Sequence, residues 1–175
     1  MASTRMILIV EDDPGIALSL TAQITRENSK ISLSVVADKE NAIKALTRQI
    51  YREYDPLSRS FREHSPASFV AVIWDNNFPE SEGGEACCDV GLETIQALKA
   101  SRKVQDTVLT HFISHSSDEQ LPLMNSGHFF KIYPKPIKKE QVKELCDLVE
   151  NWSLDEACDV VENCSLNEAS GSEFY

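Results

Sequence analysis

The sequence is short of the features that would place it quickly in several large classes. No apolar stretch approaches the length of about 18 residues that a membrane helix needs. The opening apolar run, Met6-Ile7-Leu8-Ile9-Val10, is brief and ends in three acids, which does not suit a secretory signal. Aromatic side chains make up only 7% of the chain, and 6 Gly and 7 Pro among 175 residues are too few for a collagen-like or low-complexity polymer. The five cysteines, Cys87, Cys88, Cys146, Cys158 and Cys164, lack paired spacing and suit a reducing compartment better than a disulfide framework. Positive charge is scarce too: 17 Lys and Arg face 28 Asp and Glu, a net charge of −11. With no basic field to release counterions, nonspecific nucleic-acid binding is not expected. The chain reads as soluble and cytoplasmic, with neither nucleic acid nor membrane as a partner.

What is present suffices for a globular core, since 42% of the residues are hydrophobic and the length fits one domain with additions. The acid is unevenly placed. Residues 151–175 hold six acids and no base, so the first 150 carry 22 acids against 17 bases. That tail contains a copy: Cys146-Asp-Leu-Val-Glu-Asn-Trp-Ser-Leu-Asp-Glu-Ala157 is followed at once by Cys158-Asp-Val-Val-Glu-Asn-Cys-Ser-Leu-Asn-Glu-Ala169, identical at nine of twelve positions. Two copies are too few for a solenoid. The division expected is a domain over 1–152 and an acidic tail over 153–175, a frayed or disordered extension by its composition.

Apolar patterning predicts alternating strands and helices. Arg5–Val10 is a short buried strand. Asp13 then Pro14 read as an N-cap and first helical position, with Ile16, Leu20 and Ile24 on one face. Residues 31–36 are rich in strand formers. Asp38 caps a second helix, expected to run to Asp55 because Ile43, Leu46, Ile50 and Tyr54 recur at helical spacing ahead of Pro56. Residues 57–68 read as an irregular connection with room for a short helix around Phe61, and the aromatics of 51–61 as local packing. A buried strand follows at 69–74, a loop at 79–90 with Cys87 and Cys88 as plain thiols, a helix at 91–101 and a strand at 107–113. A short helix at 118–125, a strand at 129–133 and a helix at 138–152 complete the chain.

Five strands alternating with helices call for a parallel sheet covered on both faces. Ligands of such open sheets sit beyond the carboxyl ends of the strands. That rule singles out Glu11 and Asp12 after the first strand, Asp75 after the third, Ser114 after the fourth and Lys135 after the fifth. Carboxylates gathered there repel one another unless a cation neutralises them. Mg²⁺, a hard ion needing only one or two carboxylates, suits oxygen ligands of this kind. An ionised Asp beside it can attack phosphorus, with Lys135 and the Ser114 hydroxyl offsetting the oxygen charge.

The ordered set ILIVEDDPGI, VIWDNNFP, HFISHS and YPKPI resembles the receiver domain of two-component response regulators, over about 5–152. The resemblance implies a flavodoxin-like (βα)5 fold, a doubly wound five-stranded parallel sheet with strand order 2-1-3-4-5. It implies Asp75 as phosphoacceptor, Glu11 and Asp12 as the acidic pair, and the Asn77 backbone carbonyl as a further Mg²⁺ ligand. Ser114 would be the switch hydroxyl and Lys135 the family's lysine, joined to Pro136 by a cis bond. The implied partners are a histidine kinase or histidine phosphotransfer protein and an unknown downstream protein. The chain would assist its own phosphorylation and dephosphorylation without being a turnover enzyme.

Departures from the family pattern are local. Insertions fall at about 51–68 and 80–89, which loops tolerate at small entropic cost. His115 stands where the family prefers Ala or Gly, and Ile132 where many members carry an aromatic. Tyr133 is one residue out of phase and should face the other side of its strand. These changes predict an altered output switch with the acceptor retained. The alternative is a phosphorylation-independent pseudo-receiver acting as an interaction module. An aspartate-nucleophile phosphatase would need an Asp at Asn77. His111 and His115 share a strand but lack metal-site spacing, and packing is their expected role.

Overall fold

The computed structural model describes residues 5–87, 90–101, 104, 111–116 and 127–152. Strand β1 (Arg5–Val10) leads into helix α1 (Pro14–Glu27). Asp13 caps that helix, its Oδ1 accepting from Gly15 N at 2.8 Å and Ile16 N at 2.9 Å, so two amides that a helix start leaves unpaired are satisfied. Strand β2 (Ile31–Val36) is followed by α2 (Lys39–Leu46). Asp38 caps it through Asn41 N at 2.9 Å. Then come β3 (Tyr51–Asp55), β4 (Ser60–His64), β5 (Ala71–Trp74), β6 (Phe78–Pro79), β7 (Ala86–Cys87) and α3 (Val90–Ser101). Strands β8 (Phe112–Ser116) and β9 (Lys131–Pro134) and helix α4 (Lys139–Asn151) follow.

Five of these strands form the main sheet in the order β2-β1-β5-β8-β9, paired in parallel throughout. Counting main-sheet strands alone, the order is 2-1-3-4-5, as the family resemblance implies. Side chains alternate across the sheet. Ile7, Ile9, Ala71, Ile73 and Ile113 pack with α1 and α4 on one face. Leu8, Val10, Val72, Trp74 and Phe112 pack with α2 and α3 on the other. Burial on both faces explains why β1 and β5 read as unbroken apolar runs.

Several expected boundaries are corrected. Helix α2 stops at Leu46, eight residues before Tyr54. Arg48 takes a positive φ of 55°, which helical geometry does not allow, and Ile50 is 56% exposed. Residues 51–64 are neither helix nor irregular connection: β3 and β4 pair antiparallel as a hairpin, Tyr51 opposite His64 and Asp55 opposite Ser60. Tyr51 and Tyr54, three apart on a strand, point to opposite sides. Tyr51 packs into the layer under α2 and α3, and Tyr54 into the layer under α1 and α4. The hairpin therefore straddles the flank of outer strand β2. The expected loop at 79–90 contains a two-residue ladder, Phe78 with Cys87 and Pro79 with Ala86. Strand β8 extends to Ser116, since its pairing with β5 and β9 continues past Ile113. The expected helix at 118–125, the start of the fourth main-sheet strand and the duplicated tail lie outside the described residues.

Candidate functional site

The sheet brings its acids to one end. Glu11 directly follows β1, held there because its amide donates to Val36 O at 3.0 Å. Asp75 directly follows β5, its amide donating to Val10 O at 3.0 Å. One carboxylate oxygen from each of Glu11, Asp12 and Asp75 lies within 4.8 Å of the other two. Glu11 is 1% and Asp75 6% exposed, while Asp12 is half-buried. Lys135, one residue beyond β9, reaches between them: its Nζ lies 2.6 Å from Glu11 Oε2 and 3.0 Å from Asp75 Oδ2. The peptide from Lys135 to Pro136 is cis.

The electrostatics follow from crowding in a place with little water. Burial pushes Glu11 up from 4.5 to about 7, Asp75 adds to the rise, and Lys135 opposes it. Asp12 is raised as well, chiefly by burial and then by Asp75. Burial disfavours the Lys135 ammonium, yet Glu11 and Asp75 together outweigh it and hold its pKa above the ordinary value. One cation is thus shared among three acids. A site with surplus negative charge and carboxylate oxygens as ligands fits a further hard divalent cation.

Ser114 is 1% exposed and lies within β8, paired with Trp74 on one side and Ile132 on the other. The sequence pattern places it just after the strand; the ladder encloses it, directly opposite the residue preceding Asp75. Asn77 is half-buried in the turn between β5 and β6. Tyr133 is 2% exposed and packs toward α1 and α4, its hydroxyl donating to Glu144 Oε2 at 3.1 Å. Lys131 pairs with the same glutamate. His115 is 2% exposed, held neutral by burial and by Lys135, which lower its pKa to about 4. It lines a cleft of about 500 Å³ with Lys135, Pro136, Ile16 and Ser19. His111 stacks on Trp152 with centroids 3.8 Å apart.

Two residues that the sequence reading passed over shape the site. Asn76 is 1% exposed, and its Oδ1 accepts from Leu92 N at 3.0 Å. A Cβ placed on Gly91 would fall less than 3.0 Å from Asp75 O, Trp74 Nε1 and Asn76 Cα. A glycine in the first turn of an otherwise apolar helix start was the available signal, because it marks close backbone approach.

Comparison with known proteins agrees with this architecture. No family model matches the chain, and neither does any curated protein. Solved structures do. A two-component response regulator from Legionella pneumophila superposes with a TM-score of 0.60 at 15% identity, over 83% of this chain and 98% of its own. The phosphorylated cyanobacterial phytochrome response regulator RcpA gives 0.55 at 14% identity, over 85% and 92%. The receiver domain of a sensor histidine kinase from Pseudomonas aeruginosa, with magnesium coordinated in its active-site cleft, gives 0.51 at 20% identity, over 86% and 98%. The chain has the fold of response regulator receiver domains. Among the described residues no helix is long and apolar enough to cross a membrane.

Proposed function

We propose that residues 1–152 form a response regulator receiver, with insertions at about 51–68 and 80–89 and an acidic tail over 153–175. It accepts a phosphoryl group on Asp75 from a phosphohistidine protein, either a histidine kinase or a histidine phosphotransfer protein. It then signals in the cytoplasm through contacts with a downstream protein. The observation that carries this reading is the triangle of Glu11, Asp12 and Asp75 oxygens within 4.8 Å, with Lys135 bridging Glu11 and Asp75 at 2.6 and 3.0 Å.

In this reading an Asp75 carboxylate oxygen attacks phosphorus and the bond from phosphorus to the donor imidazole breaks, leaving an aspartyl phosphate. Lys135 faces the developing oxygen charge, and the Ser114 hydroxyl donates a hydrogen bond to it. Glu11, Asp12, Asp75 and the Asn77 backbone carbonyl would hold Mg²⁺, whose charge offsets that of the phosphoryl oxygens. The chain assists its own modification and its reversal, without turning over a separate substrate. Incubation with acetyl phosphate and Mg²⁺, followed by intact mass, tests this. Wild type is expected to gain one phosphoryl group and Asp75→Asn none. An unmodified wild type, with small donor and kinase alike, would favour the phosphorylation-independent interaction module, which the buried His115 beside Lys135 also suits.

A further inference from the structure

The loop carrying Asp75 is attached to a point 15 residues further along the chain, past the second insertion. Asn76 accepts from both of the amides it faces at the start of α3: its carbonyl from Gly91 N at 2.9 Å and its side-chain Oδ1 from Leu92 N at 3.0 Å. These first-turn amides have no partner inside the helix, so Asn76 serves as a cap supplied from outside it. The same residue donates its own amide to Asp75 Oδ1 at 2.7 Å. Gly91 lets α3 sit directly on the Asp75-Asn76 peptide, where any Cβ would collide.

The intervening segment joins the loop beyond Asn77, Cys87 pairing with Phe78 and Ala86 with Pro79. Residues 80–87 are exposed, and their ion pairs involve none of the site's acids or Lys135, Glu80 pairing with Lys39 at 2.8 Å and Glu82 with Arg52 at 2.5 Å. Pairs at such exposure hold weakly. We propose that Asn76, seated on Gly91, is the positioning residue that sets the Asp75 carboxylate against Lys135 and the acidic pair, and that the ion pairs of residues 80–87 have no part in it. This rests on the receiver reading and adds a residue to it. Asn76 acts through Asp75, whose Oδ1 its backbone amide holds.

The test compares wild type, Asn76→Ala, Asn76→Ser and Glu82→Ala, all below their melting temperatures. Two readouts are taken: the rate of Asp75 modification by acetyl phosphate, and amide hydrogen exchange over 75–78 and 90–93. Asn76→Ala is expected to slow modification about tenfold or more, since small misplacements of a reacting group are costly, and to speed exchange in both segments. Asn76→Ser keeps a capping oxygen and should recover most of both. Glu82→Ala should stay within about twofold of wild type in rate, given how weakly exposed pairs hold. Should Asn76→Ala not fold, Asn76→Gln, which keeps the amide but shifts it by one methylene, carries the test with the same expected slowing. Wild-type rate and exchange in the Asn76 variant, or equal damage from Glu82→Ala, overturn the proposal. If wild type takes no phosphate, the receiver reading fails separately and the exchange data alone decide the positioning role.

Discussion

Replacing Glu11 by Gln should make the metal-free protein more stable at neutral pH, although the substitution breaks an ion pair with Lys135. The Glu11 carboxyl is raised from 4.5 to about 7 in the folded chain. Between those values the folded state binds a proton that the unfolded state has released, so stability falls as pH climbs through the window and stays lost above it. The gap corresponds to about 3 kcal/mol, or roughly 6–12 °C in melting temperature for a chain of this size. Gln mimics the neutral acid and should abolish that slope. His115 runs the other way, since its pKa is lowered from 6.5 to about 4. Its contribution therefore rises with pH over that range and partly masks the Glu11 effect in wild type. The diagnostic is the difference between the two proteins, in which the His115 contribution cancels. Thermal denaturation in EDTA from pH 4.5 to 8 should show Glu11→Gln gaining on wild type until about pH 7 and levelling off. Adding Mg²⁺ should close the gap, because a cation relieves the charge that Gln removes. Parallel curves in EDTA would refute the burial argument.

Three smaller perturbations test other parts of the structure. His115→Leu should lose the rise in stability between pH 4 and 6.5 that the buried imidazole contributes; an unchanged acid limb in the same melts would contradict its placement. Tyr51→Phe removes the buried hydrogen bond between Ser34 Oγ and Tyr51 Oη, 2.9 Å long, and should cost about 1–3 kcal/mol in urea unfolding. No loss there would mean that water replaces the phenol. Asp13→Ala deletes the α1 cap and should cost about 1 kcal/mol, measured by the same unfolding curves without change in their slope.

The sheet and the gathering of the acids at its end were legible because both rest on local signals. Continuous apolar runs marked β1 and β5, and the acids that follow them fall where parallel strands end. Asp13 and Asp38 announced their helices by capping chemistry alone. The hairpin was missed because Ile43, Leu46, Ile50 and Tyr54 mimic a helical stripe, whereas Tyr51 and Tyr54 serve two different layers from one strand. Sequence spacing cannot register that, since it assumes a single buried face. Asn76 was missed for a related reason. Its partner Leu92 lies 16 residues away, and a cap supplied at that distance leaves no mark in the local pattern. Ser114 falls outside the expected strand because the apolar run ends at Ile113, whereas pairing with Trp74 and Ile132 carries the ladder further.

The hairpin also limits how this chain could be shortened. Splicing Leu46 directly to Phe69 would strip an aromatic plug from each layer at once, since Tyr51 closes one and Tyr54 the other. A trimmed version would need new apolar residues at two separate places before its outermost parallel strand was sealed again. The added segment has become a wall of the building, although by length alone it looks like an annexe.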